Sequence, residues 1–365
     1  VYKKIIPHII ISLLLGGMGL IPLELTAEAQ TSSTVATRLN PQQKQQLYNL
    51  LQQGKQYVTV GDLNNALSIY RQAATLDNGN PKIFSSIGYL YASLGDYQAA
   101  ANAYQQAITL APDNSDFHTA LGYTFAQIGD NSNAINAYER AIALQPKNVD
   151  NLIALGVLSL RKGEYSQIEN YYQKILTLDS NNQTAYDIMA TALYQQNKNS
   201  EAIAFLENAI VKFPKNNDLR LKLATAYFKE QKSAEGLAQL KILESSEPNN
   251  AKVILKMAMV YEQQKDWDNA LKAYQEASIL DNKSIQAYGG TARILEQKQD
   301  YFRAIVAYRR FIELAPLNPY GYHRLGLLLK ERGRKPEAKE MLEKAKNIYQ
   351  QQGKLESVAQ VQKEL

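Results

Sequence analysis

The chain repeats itself every 34 residues, and no other feature limits its fold as strongly. Set out in rows of that length from Leu47, it gives nine rows without insertion or deletion. They begin at Leu47, Pro81, Ser115, Val149, Gln183, Asn217, Ala251, Ile285 and Pro319. The eighth column is small in every row: Gly54, Gly88, Gly122, Gly156, Ala190, Ala224, Ala258, Ala292 and Gly326. The twentieth is Ala except at Ile168 and Gly236. The twenty-fourth holds Tyr70, Tyr104, Tyr138, Tyr172, Tyr274 and Tyr308, with Leu206, Leu240 and Leu342 in the remaining rows. The thirty-second holds Pro112, Pro146, Pro214, Pro248 and Pro316.

These columns have a physical reading. Phe84, Ile87, Gly88 and Tyr91 lie at helical spacing and make one small or apolar face. Ala100, Tyr104 and Ala107 make the matching face of a second helix. Between such segments stand Gly61-Asp62, Gly95-Asp96 and Gly129-Asp130, where Gly ends one helix in the left-handed conformation and Asp caps the next. Proline near the row's end stops the second helix. Small residues at columns eight and twenty let the two helices approach, and the column-24 Tyr fills the gap above them. Each row is therefore a helix–turn–helix hairpin. One hairpin cannot bury its apolar faces alone, so hairpins must stack.

The row length and the small, aromatic and proline columns resemble the tetratricopeptide repeat, over Leu47 to Ile348. The resemblance implies an all-α, right-handed superhelical solenoid of nine hairpins, with residues 349–365 as a capping helix. Leu355, Val358, Ala359, Val361 and Leu365 give that last segment an amphipathic pattern. Departures are local. The fourth row has Ser159, Ile168 and Ile175 where the family prefers aromatic or small residues, and Gly289-Gly290 interrupts the eighth row's first helix. Glycine in a helix interior costs about 0.5–1 kcal/mol relative to alanine, so that helix is expected to be the weakest of the array.

Residues 1–29 read as a secretory signal peptide. Lys3 and Lys4 precede an apolar run from Ile9 to Ile21, Pro22 breaks it, and Ala27-Glu28-Ala29 offers a cleavage site before Gln30. The alternative is an uncleaved anchor over residues 5–21; either way the repeats are exported, to a periplasm or an equivalent lumen. Residues 30–46 read as a linker and helix start, with Asn40-Pro41 as N-cap and first helical position.

Catalytic patterns are lacking. There is no Cys, which excludes disulfides, thiolate metal sites and cysteine nucleophiles. There is no HExxH and no P-loop. His118 sits at a packing column and reads as a core or interface histidine; His323 sits at a column that the resemblance places on the groove, where it reads as an exposed side chain, with a binding contact as the alternative. No cofactor, metal or small-molecule substrate is expected. Forty basic against 35 acidic side chains is too even a balance for nucleic acid to be the main partner. The basic run Lys330, Arg332, Arg334 and Lys335 reads as a solvated turn, with weak contact to an anionic surface or acidic partner as the alternative.

On the first helix of each row, columns two, five, nine and twelve lie roughly opposite the packing face. In the family that second face lines a concave groove. Here it carries Tyr89, Tyr123, Ile153, Val157, Leu160, Thr191, Tyr194, Leu221 and Phe228. An aromatic and aliphatic concavity fits peptide or helix recognition. The alternative is packing along the wall between neighbouring first helices. A family variant clamps a C-terminal carboxylate with Lys at column five and Asn at column nine. Rows two to five hold Ser85 with Tyr89, Thr119 with Tyr123, Ile153 with Val157 and Asp187 with Thr191, so that clamp is lacking there. The expected function is a protein-binding scaffold or assembly factor for an envelope or membrane complex. The rivals are a non-catalytic subunit of an envelope enzyme and a self-assembling structural solenoid.

Overall fold

The computed structural model describes residues 39–365, so the signal-peptide reading and most of the linker fall outside the described residues. Among these residues there are nineteen α-helices and no strand. They fall into two compact units. The first unit, ending at Gln196, holds α1 (Pro41–Thr59), α2 (Leu63–Leu76), α3 (Pro81–Ser93), α4 (Tyr97–Leu110), α5 (Ser115–Ile128), α6 (Asn131–Leu144), α7 (Val149–Lys162), α8 (Ile168–Leu178) and α9 (Gln183–Gln195). The second, Asn197–Leu365, holds α10 (Asn199–Lys212), α11 (Asn217–Lys229), α12 (Ser233–Ser246), α13 (Ala251–Gln263), α14 (Trp267–Leu280), α15 (Ile285–Gln297), α16 (Tyr301–Leu314), α17 (Pro319–Glu331), α18 (Lys335–Gln351) and α19 (Leu355–Glu364). Odd-numbered helices up to α17 are the first helices of the rows. Each packs on its own second helix in the hairpins α1/α2 to α7/α8 of the first unit and α11/α12 to α17/α18 of the second.

Capping explains why the helices start where they do. From Asn80 onward the last column of each row caps the next first helix. Asn80, Asn114, Asn148, Asn182, Asn216, Asn250, Ser284 and Asn318 each accept a backbone N–H from the first turn. At α1, Asn40 and Gln43 form a reciprocal capping box ahead of Pro41. The Gly-Asp turns form as expected: Gly61, Gly95 and Gly129 have φ of 79°, 84° and 91°, and Asp62, Asp96 and Asp130 cap the helices that follow. In rows five to eight the same left-handed position is held by Asn197, Gln231, Lys265 and Gln299, with φ between 58° and 60°. The backbone geometry is thus kept where the glycine is not.

Inside the hairpins, the columns mesh. A Cβ on Gly54, Gly88 or Gly122 would stand 2.8, 2.9 and 2.8 Å from the rings of Tyr70, Tyr104 and Tyr138. In these three rows column eight is small because the column-24 ring of the same row lies directly on it. Gly289 and Gly290 have a packing reason as well. A Cβ at Gly290 would come within 2.3 Å of the Tyr274 ring, and one at Gly289 within 3.0 Å of Phe311. The pair weakens α15 by propensity, yet Gly290 admits the Tyr274 ring and Gly289 leaves room for the edge of Phe311.

The fourth row departs from its neighbours. A short 3-10 turn at Tyr165–Gln167 precedes α8, and Gln167 gives no side-chain cap. Residues 151–160 of α7 are all buried, all round the helix. Gly156 permits this, since even a Cβ there would lie 3.3 Å from Ile188 of α9. At the C-terminus α19 closes over α18 through Val361, Leu342, Ala345 and Tyr349.

Candidate functional site

In the first unit, two of the expected groove residues remain half-exposed with their rings in place. Tyr89 of α3 rests on the cluster built from Leu47, Tyr70 and Leu90. Tyr123 of α5 stands edge-on to Tyr97 of α4, with ring centres 6.4 Å apart. Burial, and then Tyr97, push the Tyr123 hydroxyl up to about 12. Thr191 and Tyr194 of α9 are half-buried, and Thr191 Oγ1 donates to the Asp187 carbonyl at 2.7 Å. Ile153, Val157 and Leu160 are corrected: all three are buried in the cluster that joins α7 to Leu152, Ile168, Ile175 and Ile188. The close approach of α9 at Gly156 turns that stretch of groove wall into core. Thr119 is also internal, exchanging hydrogen bonds of 3.1 and 2.9 Å with Asn151 and tying α5 to α7.

In the second unit, Leu221 and Phe228 of α11 are half-buried. Row six has Leu240 at column 24 and Gly236 at column 20, where rows one to three, seven and eight put Tyr and Ala. The Phe228 ring lies on Gly236: a Cβ there would stand 2.3 Å from it. Both residues pack on Leu240, Leu243 and Val253. His323 is corrected too. It is buried, edge-on to Tyr349 at 6.2 Å, and its Nε2 has no partner. His118 is buried as expected, with Nε2 2.8 Å from the Pro112 carbonyl. In the basic turn, Lys330 Nζ donates to the Glu364 carbonyl at 2.7 Å, and Arg334 pairs with Glu337.

A site that the sequence reading missed lies between α13, α15 and α17. It is a cavity of about 490 Å³ lined by charged and aromatic residues, among them Glu262, Trp267, Arg293, Glu296, Tyr320 and Arg324. Tyr274 donates its hydroxyl to Glu262, and Tyr308 donates to Glu296 at 2.8 Å. Each carboxylate is then gripped by the arginine of the next row. Arg293 Nε and Nη2 both reach Glu262 at 2.9 Å, and Arg324 donates to Glu296 through Nε at 3.3 Å and through Nη2. Burial works against the charge of Glu262, but the Arg293 and Tyr274 hydrogen bonds outweigh it and hold the carboxyl below its usual range. The signal was present in the residues. Glu262 and Glu296 share column twelve, and Arg293 and Arg324 stand at columns nine and six of the rows that follow.

The family models agree with one another. Tetratricopeptide-repeat models match residues 51–115, 193–260, 255–319 and 321–351. The model of the middle TPR-like domain of cilia and flagella-associated protein 70 matches residues 84–212. The chain is a tetratricopeptide-repeat protein. Among solved structures, a tetratricopeptide repeat protein from Parabacteroides merdae is 18% identical, with a TM-score of 0.51 over 69% of this chain and 99% of that one, which is a likeness of fold alone. MamA is 24% identical with a TM-score of 0.44, over 46% of this chain and 92% of its own. Yeast Tom70 is 15% identical with a TM-score of 0.42, over 88% and 96%. The last two likenesses are too loose to carry an argument. No curated protein matches the sequence significantly.

Tetratricopeptide-repeat proteins are in general non-catalytic scaffolds that bind other proteins. Tyr89 and Tyr123 offer rigid rings with a polar tip, whereas the guanidiniums and tyrosine hydroxyls at the cavity of the second unit are paired with Glu262 and Glu296. Among the described residues no cluster of His, Asp and Glu has the geometry of a metal site.

Proposed function

We propose that this tetratricopeptide-repeat protein is a non-catalytic scaffold or assembly factor that holds a partner polypeptide along its first helices, on the exported side of a membrane. The observation that carries the binding reading is the half-exposed pair Tyr123 and Tyr97, with Tyr89 on the preceding first helix. Each of Tyr89 and Tyr123 packs against a core cluster on one side and stays half-exposed. Aromatic side chains of this kind dominate binding energy at protein interfaces. Export is supported by Lys3, Lys4, the apolar run Ile9 to Ile21 and Ala27-Glu28-Ala29. No helix among the described residues is long and apolar enough to cross a membrane.

The test places a photo-crosslinking side chain at Tyr123 and, as a control, at exposed Glu139 of α6. A discrete polypeptide should crosslink from position 123 in native extract and not from 139. The same pattern from both positions would count against the reading. Fractionation of cells carrying the full chain should place it in the exported compartment, with Gln30 as first residue. A cytoplasmic pool with Lys3 and Lys4 retained would remove the export claim.

A further inference from the structure

The turn between α2 and α3 is closed differently from the later turns between rows. In rows two to eight the column-34 N–H donates to the column-31 carbonyl at 3.0–3.2 Å, as Asn114 does to Ala111 and Asn318 does to Ala315. In row one Asn80 makes no such bond to Asp77. The Asp77 carboxylate holds the turn instead. Its Oδ1 accepts the Gly79 N–H at 3.3 Å, and its Oδ2 accepts from Asn80 Nδ2 at 3.2 Å. Five later rows put Pro at column 32, where row one has Asn78 followed by Gly79, the single Asn-Gly pair of the chain. Asn78 and Gly79 are both exposed, and the Asn78 side chain takes no part in the bonds that hold the turn.

An asparagine side chain can be attacked by the backbone nitrogen of the residue that follows. Two things oppose it: the side chain of that next residue, which crowds the approach, and a backbone fixed by its own hydrogen bonds. Gly79 removes the first obstacle, and the unmade closing bond relaxes the second. We propose that Asn78 is a site of spontaneous deamidation, in which the Gly79 backbone nitrogen closes on the Asn78 side-chain carbonyl carbon. The Gly79 N–H proton passes to water as the N–Cγ bond forms. The Cγ–Nδ2 bond then breaks, and the side-chain nitrogen takes a proton from water and leaves as ammonia. The product is a cyclic succinimide, which water reopens. Opening at the side-chain carbonyl gives aspartate; opening at the main-chain carbonyl gives isoaspartate, whose main chain runs through Cβ and Cγ. Ammonia is lost, water is gained, and nothing is oxidised or reduced. Either product sets a new carboxylate two residues ahead of the Asn80 cap, near the positive end of α3, which favours it. Isoaspartate also lengthens the link between rows one and two. The site is a slow, one-way mark on the first unit, and it stands apart from the scaffold reading.

Row seven supplies an internal control. Asn282-Lys283 occupies the same two columns, is exposed, and has the same carboxylate bond, from the Lys283 N–H to Asp281 Oδ1 at 3.1 Å. It keeps the closing bond, from Ser284 to Asp281 at 3.0 Å, and has a side chain where row one has none. The full chain is incubated at physiological pH and temperature and sampled over weeks by peptide mapping. Trypsin should release residues 72–82, and fragmentation separates Asn78 from Asn80. Asn78 should exchange its amide nitrogen for oxygen and appear as two products separable by chromatography, one of them a substrate for an isoaspartyl methyltransferase. Asn282 should keep its amide over the same interval. A Cβ on Gly79 would meet only Asp77 Oδ1, at 3.7 Å, so Gly79→Ala should retain its circular dichroism and slow Asn78 to the rate of Asn282. If Asn78 keeps its amide as long as Asn282 does, or if Gly79→Ala converts as fast as the parent, the assignment is overturned. Conversion in urea that the native chain resists would overturn it as well, because the turn would then be protecting Asn78.

Discussion

Replacing Gly290 by alanine sets two effects against each other within one residue. Alanine is favoured over glycine in a helix interior by about 0.5–1 kcal/mol. The new Cβ, however, would stand 2.3, 2.4 and 2.5 Å from Cε1, Cζ and Cδ1 of Tyr274. Carbon atoms in contact sit about 3.5–4.0 Å apart, so relief needs a shift of more than about 1 Å. The ring cannot supply it freely. Tyr274 is 1% exposed, and its hydroxyl is bonded to Glu262, which is itself locked to Arg293. Overpacking of this kind costs about 1–3 kcal/mol, so the variant should be destabilised by about 1–2 kcal/mol net. Urea unfolding followed by circular dichroism measures the loss, and hydrogen exchange of α14 and α15 locates it. Gly289→Ala meets only the Phe311 ring edge at 3.0 Å and should cost less. If Gly290→Ala is as stable as the parent or more so, helix propensity rules at this site. The packing account of the glycine pair is then wrong.

Other outcomes follow from the same geometry. Gln231→Gly and Lys265→Gly, at left-handed positions with φ of 60°, should each stabilise the chain by about 1 kcal/mol in equilibrium unfolding. Burial, and then Arg324, hold the buried His323 imidazole below its ordinary range, while Glu364 opposes them. The folded state therefore prefers the neutral ring, and its contribution is complete above pH 6.5 and is lost as pH falls toward the lowered value. A melting series should show that decline, and His323→Leu should flatten it. Tyr104→Ala, which empties the space above Gly88, should cost about 3–5 kcal/mol. Tyr123→Ala should cost clearly less and keep its circular dichroism.

Most of the fold could be read before any coordinates because its repeat fixes both partners of each contact. Gly88 and Tyr104 stand sixteen residues apart in one row, and so do Gly54 with Tyr70 and Gly122 with Tyr138, so one hairpin geometry accounts for all three. The caps are legible for a similar reason: Asn80 and Asp96 act on their own next turn, over two or three residues. Rows five to eight were harder. Gln231 and Lys265 take a backbone conformation that their side chains do not announce, and the neighbouring hairpin helices impose it.

The groove was less legible, because the fate of a first-helix column is decided by what the second helix leaves open. Column twelve shows this within adjacent rows. In row six, column 24 is Leu240 and column 20 is Gly236, and the Phe228 ring lies on Gly236. In row seven, Tyr274 occupies that space and presents its hydroxyl, so Glu262 at the same column becomes an acceptor on the cavity wall. In row eight, Tyr308 repeats the arrangement with Glu296. In these three rows the column packs inward beside leucine and lines the cavity beside tyrosine, whereas in row four Leu160 is buried beside Tyr172. Periodicity places a residue on a face, and in rows six to eight the identity of column 24 goes with whether that face opens. Exchanging the two environments tests the rule. Leu240→Tyr should clash with Phe228 and destabilise row six by about 1–3 kcal/mol, whereas Leu240→Tyr with Phe228→Glu should recover much of that loss. Equal stability of the single and double variants would show that column 24 does not control the opening of the groove.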